Sequence, residues 1–376
     1  MFDSLEATKL TPTFNNFTTS PCFEVERNAL IQFKNGLNDP SGRLSSWVGE
    51  NCCQWKGVGC SRKRGNIISL NLRNPYNLPC PECLLSDTEA EVYELSCLGD
   101  LSSNIIGSDI IKLVDGLSEC SNNTLEELDL QNNNFNGQIP ESLGNLTRLR
   151  SLDLSGNSFS GLIPSSIRTL SFLERLHLSS NELNGSIPEW IGQLKALTSL
   201  DLHKNSFSGP IPSSIRTLSL LEELFLSSNE LNGTIPEGIG QLKALTSLQL
   251  YANSWEDKIS EIHFLRLKRL KYFSLSSRNK SLAFEVRQEW IPPFSLETII
   301  ITHCLVGPTF PSWLKTQKEL IEIDLSKVGI SDTVPGWFWK LTPQIQRLHL
   351  TSNQLHGMLP KSIEIFTGDG DGEFKF

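Results

Sequence analysis

Leu125-Glu-Glu-Leu-Asp-Leu-Gln-Asn-Asn-Asn-Phe-Asn-Gly-Gln-Ile-Pro140 decides how this chain is read. The stretch fits L-x-x-L-x-L-x-x-N-x-L-x-G-x-I-P, with Phe135 in place of the second-half leucine. The phrase returns every 24 residues as far as Ile259. Its strand leucines come back as Leu149/Leu152/Leu154, Leu173/Leu176/Leu178, Leu197/Leu200/Leu202, Leu221/Leu224/Leu226 and Leu245/Leu248/Leu250. Alternation of apolar and polar residues in L-x-L describes a strand with one buried face. One such strand cannot bury that face alone. Coils stacked side by side make a parallel sheet over a continuous core.

A fixed period of this length is the leucine-rich-repeat signature. The expected fold class is therefore an α/β repeat. It is a leucine-rich-repeat solenoid, a curved and twisted right-handed superhelix of plant-type L-x-G-x-I-P repeats. Asn133, Asn157, Asn181, Asn205, Asn229, Asn253 and Asn353 hold one place in successive coils. A side-chain amide there can bond turn backbone that the sheet leaves unpaired. Gly in the second half permits positive φ, and Pro denies the chain a helix at that point. The wording Leu183-Asn-Gly-Ser-Ile-Pro188 resembles that of the plant extracellular class of these repeats. Segments 163–210 and 211–258 match at roughly three quarters of positions, so a tandem duplication built this double unit.

Around this core the 376 residues divide as follows. Residues 1–21 are a polar arm expected to lack order. A cap is expected over 22–66. There, Val25, Ala29, Leu30, Phe33 and Leu37 share a helical face and Asp39-Pro40 stops the helix. A solenoid exposes apolar core at its ends, so a short helix stapled by disulfides suits that place. Residues 67–100 hold a first strand at Ile67, Leu70 and Leu72, then an irregular junction with Cys80-Pro-Glu-Cys83 and Cys97. That C-x-x-C has no second half, so a zinc site is not expected. The solenoid proper is expected over 101–362, restarting near Leu101-Ser-Ser-Asn104. Cys304 stands in the asparagine column, and Cys120 precedes the regular array. Residues 363–376 read as a disordered tail, because Thr367-Gly-Asp-Gly-Asp-Gly372 lacks the ligand series of a calcium loop.

The net charge of −9 argues against a general binder of nucleic acid or anionic membrane. Six N-x-S/T sequons, at Asn16, Asn122, Asn145, Asn184, Asn232 and Asn279, suit a secreted chain, and none falls on a strand-leucine segment. Yet Met1–Ser20 contains no apolar run of a secretory signal, and no stretch is apolar enough to span a membrane. The expectation is a piece of a longer secreted protein.

Cys22, Glu26-Arg27, Ala29-Leu30, Phe33-Lys34, Leu37, Asp39-Pro40, Leu44, Trp47 and Cys52-Cys-Gln-Trp-Lys-Gly-Val-Gly-Cys60 resemble the N-terminal cap of plant leucine-rich-repeat receptors. With the repeats that follow, the chain is similar to plant receptor-like proteins. Within them it looks closest to the group that contains receptors for fungal ethylene-inducing xylanase. Spacing permits three connectivities among Cys22, Cys52, Cys53 and Cys60. The resemblance implies the pairs Cys22–Cys52 and Cys53–Cys60. It also implies a location on the extracellular side of the plasma membrane and a microbial protein or peptide as ligand. Signalling would go through a membrane co-receptor kinase, because no kinase signature occurs in the chain. The rival reading is a soluble inhibitor similar to the plant proteins that block fungal polygalacturonases. A third is a truncated product without activity.

No catalytic motif, metal site or cofactor site is expected. The six histidines form no H-E-x-x-H, and no Walker loop or nucleophile elbow occurs. Side chains between the strand leucines face the concave sheet, where solenoids bind. Most are bland serines. The candidate ligand-binding residues are His177, His203, Lys204, Phe225, Gln249, Tyr251 and Tyr272, because exposed aromatic and polar anchors are typical of interfaces.

Overall fold

The computed structural model describes residues 22–37, 39, 42–73, 110–118, 124–358 and 373–375. The arm over residues 1–21, Cys80, Cys83, Cys97, Cys120 and the sequon asparagines Asn16 and Asn122 lie outside them.

The chain is a leucine-rich-repeat solenoid. Among the described residues, thirteen strands lie side by side in chain order, from Val58–Cys60 and Ile67–Asn71 through Glu127–Asp129 to Arg347–His349 and Glu373–Lys375. The first pair is antiparallel and the later pairs are parallel. Register aligns Leu128, Leu152, Leu176, Leu200, Leu224 and Leu248 across the sheet. All six are buried in one core that runs the length of the array.

The second half of each repeat does more than turn. Asn136–Gln138, Ser158–Gly161, Glu182–Ser186, Ser206–Gly209, Glu230–Thr234 and Ser254–Glu256 form a second, six-stranded sheet. Gly161 and Gly185 sit in it at φ of 82° and 79°, where a Cβ would be strained. The following prolines hold extended backbone, and each starts one turn of 3₁₀ helix, as Pro188 does for Glu189–Gln193.

The asparagine column is a ladder of hydrogen bonds. Asn205 Nδ2 donates to the carbonyls of Leu178, Leu202 and His203 at 2.9, 3.2 and 3.3 Å. Its Oδ1 accepts the Leu183 N–H at 3.0 Å. One amide thus satisfies backbone of its own coil and of the preceding one. The residue before each such Asn is left-handed even when it is not glycine: Ser180, Lys204, Ser228 and Ala252 have φ of 53° to 54°. That conformation is costly for an L-residue and persists because the ladder fixes the turn. Some later coils replace the amide, although Asn353 keeps it. Cys304 fills the column as a buried thiol donating to the Thr302 carbonyl at 3.3 Å, and burial pushes its pKa up to about 12.

The cap begins with α1 (Glu24–Asn35), and Cys22–Cys52 and Cys53–Cys60 are its disulfides. Its buried face differs by one position from the sequence reading. Val25 is exposed, and Glu26 points inward with Ala29, Leu30 and Phe33. The reason is a hydrogen bond: Glu26 Oε2 accepts the Ile67 N–H of the first solenoid strand at 3.1 Å. Burial raises that carboxyl to about 6. A second helix, α2 (Ile111–Ser118), packs on α1, and a Cβ on Gly116 would come within 2.7 Å of the Ala29 Cβ. The strand Ile67–Asn71 pairs directly with Glu127–Asp129, so residues 110–118 contribute a helix to the cap and no strand between those two.

The other end also departs from expectation. The tail read as disordered supplies the strand Glu373–Lys375, which pairs with Arg347–His349, and Leu350 N–H donates to the Lys375 carbonyl at 2.8 Å. An end strand presents unpaired backbone groups, and this segment takes them up. Residues 359–372 of that region lie outside the described ones.

Candidate functional site

Because the strands pair leucine to leucine, the side chain between two strand leucines stands beside its counterpart in the next coil. Neighbouring parallel strands are about 4.8 Å apart, so these side chains form continuous columns on the concave face. One column runs Asp129, Asp153, His177, Asp201, Phe225, Gln249 and Ser274. Three sequence-selected residues, His177, Phe225 and Gln249, belong to it. Tyr272 lies in the column preceding it on the strand, beside Ser247. His203 and Tyr251 follow it by two residues, and Lys204 projects from the left-handed turn beyond and is exposed.

The candidates divide into an ionic stretch and an aromatic one. In the ionic stretch His177 Nδ1 is 3.6 Å from Asp153 Oδ2, and His177 Nε2 is 2.9 Å from Ser199 Oγ. Ser199 in turn donates to Glu223 Oε2 at 2.8 Å. His203 Nδ1 meets Asp201 Oδ1 at 2.8 Å, and Arg175 reaches Glu127 at 3.8 Å. Burial works against charge on His177, but the Asp153 contact and the charges of Asp201 and Glu223 outweigh it and raise the imidazole pKa. Burial likewise resists ionisation of Asp153, yet His177 and the Ser155 N–H hold its pKa below the usual range. Asp129 shifts the other way, raised by burial and by the neighbouring Asp153 charge.

An Asp, a His and a Ser in contact are the parts of a hydrolytic triad, but the proton runs the wrong way. A triad histidine must accept the serine proton. Here that proton is committed to Glu223, and Ser199 is buried.

In the aromatic stretch Phe225, Gln249, Tyr251 and Tyr272 are half-buried on successive coils. Among them the hydroxyls of Ser227 and Ser274 are buried without a hydrogen-bond partner among the described residues. A buried hydroxyl left unmatched is uncommon in a native fold and costs stability.

The duplicated unit adds a second kind of evidence. Its two copies keep the same strand leucines and the same ladder asparagines. They differ at twelve of 48 positions, five of which are Arg175/Glu223, His177/Phe225, Asp201/Gln249, His203/Tyr251 and Lys204/Ala252. The first four pairs lie in the concave columns, and the fifth on the turn beside them. The other seven, among them Trp190/Gly238 and Phe207/Trp255, lie off the concave columns, so the strand leucines and ladder asparagines were kept while the concave face and the outer half of the coil both changed.

Asp153, Ser199, Asp201 and Glu223 were not selected from sequence. Each is an ordinary polar residue in its own repeat, and only the register that brings coils together gives it a partner. The described sequon asparagines, Asn145, Asn184, Asn232 and Asn279, are all exposed. Asn184 and Asn232 lie in strands of the second sheet, away from the concave columns. Among the described residues no helix is long and apolar enough to cross a membrane.

Two known families match the chain. A leucine-rich repeat region family matches residues 101–333, and a leucine rich repeat N-terminal domain family matches residues 24–61. Receptor-like protein EIX1 of Solanum lycopersicum is 39% identical over 106 residues, which is 28% of this chain and 10% of that protein. Receptor-like protein EIX2 of the same plant is 39% identical over 105 residues, again 28% of this chain and 10% of its own length. Each match thus spans about a tenth of the relative. Among solved structures, the PEPR1–AtPEP1 complex superposes with a TM-score of 0.68 at 27% identity, covering 90% of this chain and 46% of that one. The plant peptide hormone receptor RGFR1 in complex with RGF2 gives a TM-score of 0.50 at 32% identity, covering 63% and 37%.

Proposed function

This chain belongs to the leucine-rich-repeat family and is related over part of its length to plant receptor-like proteins, and on that premise we propose that its concave face captures a microbial protein or peptide outside the cell. The observation that carries the reading is the divergence of the duplicated unit. Two copies with the same leucines and asparagines differ on the concave columns, at His177/Phe225 and His203/Tyr251 among others. Fold maintenance explains the identical leucines and asparagines, and the changes on the concave columns swap charge for aromatic character, which suits selection on what the face touches. Phe225, Tyr251 and Tyr272 act as anchors, which suits the aromatic enrichment of binding hot spots. Ser227 and Ser274 lie beneath these side chains, fully buried, and support the face from below. His203, Lys204 and Gln249 supply polar contacts at the rim.

The protein acts at the extracellular side of the plasma membrane and passes its signal to a membrane co-receptor kinase, as relatives of this kind imply. The likeness to a peptide hormone receptor supports a peptide-sized footprint on the same face. The test uses a fungal ethylene-inducing xylanase as first probe. The secreted protein is immobilised and xylanase binding is measured by surface plasmon resonance for the native chain and for Phe225→Ala with Tyr251→Ala. Loss of about tenfold or more in affinity with unchanged thermal unfolding supports the reading, since hot-spot anchors carry at least this much. Undiminished xylanase binding by the double variant removes the aromatic patch from the site, and no binding by the native chain removes that ligand.

A further inference from the structure

The ionic stretch contains a cation whose place does not depend on any ligand. Both ring nitrogens of His177 face acceptors. Nδ1 looks at the Asp153 carboxylate at 3.6 Å. Nε2 looks at the Ser199 oxygen, whose own proton is given to Glu223. An imidazole with one proton can serve only one of these acceptors, and the ring with two protons serves both. His177 therefore fits this site as an imidazolium that links carboxylates on the strands Ser151–Asp153 and Glu223–Phe225, one of them through Ser199.

The surrounding charges make that proton consequential. Asp153 faces His177 from the preceding coil, with Asp129 and Glu127 one coil further back. Asp201 faces it from the following coil beside His203, and Glu223 from the one after. On its own strand stands Arg175, which is paired with Glu127. Arg175 and His203 thus have their own carboxylate partners. Asp153 and Glu223 are left to His177. On the Asp153 side a shallow cleft of about 230 Å³ is lined in part by Asn71, Glu127, Asp129, Asp153, Arg175 and His177.

We propose that His177 is a proton-operated switch of the concave face, filling the ionic stretch with its own positive charge when protonated and opening Asp153 and Glu223 to a cationic group of the ligand when neutral. The ligand chemistry is a lysine or arginine side chain. This rests on the reading of the concave face as the binding surface, and it adds a direction: capture of a basic segment tightens as pH rises through the His177 titration. Histidine is the side chain suited to such a role, because modest surroundings move its charge change across physiological pH.

Two measurements test it, and neither involves the xylanase or the aromatic patch. In the first, the full chain carries ¹³C-labelled histidine, and the His177 Cε1–H resonance is followed with pH. The midpoint should fall in Asp153→Asn and again in Glu223→Gln. A His177 midpoint that neither variant changes overturns the proposal. In the second, Ac-Gly-Arg-Gly-NH₂ is titrated below and above the midpoint. Its affinity should rise by about threefold or more across the transition in the native chain. In His177→Gln, where the ring charge is gone at all pH, that rise should vanish. Equal pH dependence in both proteins assigns it to overall charge and overturns the switch.

Discussion

The guanidinium of Arg43 donates to the side-chain oxygen of Asn133 at 2.8 Å, across 90 residues of sequence. In the inner coils the same asparagine oxygen accepts a backbone N–H of the preceding coil, as Asn157 does from Phe135 and Asn181 from Phe159. Arg43 also donates to the carbonyls of Leu72 and Arg73. The cap therefore completes the ladder as well as covering the core.

That gives a first prediction. Arg43→Ala leaves three acceptors without this donor and should cost about 2 kcal/mol, in keeping with hydrogen bonds to a charged group. Arg43→Lys should recover only part, because an ammonium lacks the fork that reaches three oxygens. Urea unfolding with a probe in the cap, such as the Trp47/Trp55 stacked pair, reads the effect. A change under about 0.3 kcal/mol for Arg43→Ala sets the contact aside as incidental surface pairing.

Glu26 yields a pH prediction whose sign is unusual for a carboxylate. Its folded value, about 6, lies above its ordinary 4.5 because burial opposes the charge. The folded state then holds the proton more tightly than the unfolded state. Stability is fully present below the lower value, falls as pH rises through the upper one, and is flat beyond. Glu26→Gln keeps an acceptor for the Ile67 N–H without the charge, so it should stabilise the cap at pH 7.5 by about 1 kcal/mol, a figure reduced for solvent screening. At pH 4 the two proteins should unfold together. Glu26→Ala should lose stability at both pH values, since it strands the Ile67 N–H.

How far the sequence carried the reading can be seen residue by residue. The period placed every strand leucine of the regular coils, because a fixed spacing survives whatever the neighbours do. It placed the asparagines for the same reason. It missed the second sheet, since Leu183-Asn-Gly-Ser-Ile-Pro188 contains turn residues whose pairing appears only when coils stack. It put Val25 rather than Glu26 inside, because hydropathy cannot anticipate that a carboxylate will meet the Ile67 N–H. For the site, His177 and Phe225 stood out by residue type. Asp153, Ser199 and Glu223 did not, because their meaning lies in a partner about two dozen residues away and one coil over.

Cysteine chemistry separates two environments. Cys22–Cys52 and Cys53–Cys60 should appear as linked peptides in a non-reducing digest. Cys304 should resist a thiol reagent at pH 8 in the folded protein and react at once after denaturation, because the thiolate is the reactive form and burial keeps its pKa near 12. Rapid labelling of Cys304 in the native state would mean that its coil opens readily.

The last prediction sets a scaffold residue against a face residue. Asn229 is buried and donates to the carbonyls of Leu202, Leu226 and Ser227 at 2.9, 3.1 and 3.2 Å, while its oxygen takes the Phe207 N–H at 3.0 Å. Asn229→Ala strands the Phe207 N–H, while the three carbonyls keep Asn205 Nδ2, Asn253 Nδ2 and the Lys204 N–H, so it should destabilise the array by about 1–3 kcal/mol, with ligand capture lost only through unfolding. Ser274 is as deeply buried, yet its hydroxyl has no partner among the described residues. Ser274→Ala removes an unmatched polar group, so unfolding should be unchanged or shifted up by as much as about 1 kcal/mol. Because that hydroxyl lies beneath the face, xylanase binding by the variant should be unchanged while the fold holds. A Ser274→Ala protein that is destabilised like Asn229→Ala would show that the hydroxyl serves the coil through a bonded partner.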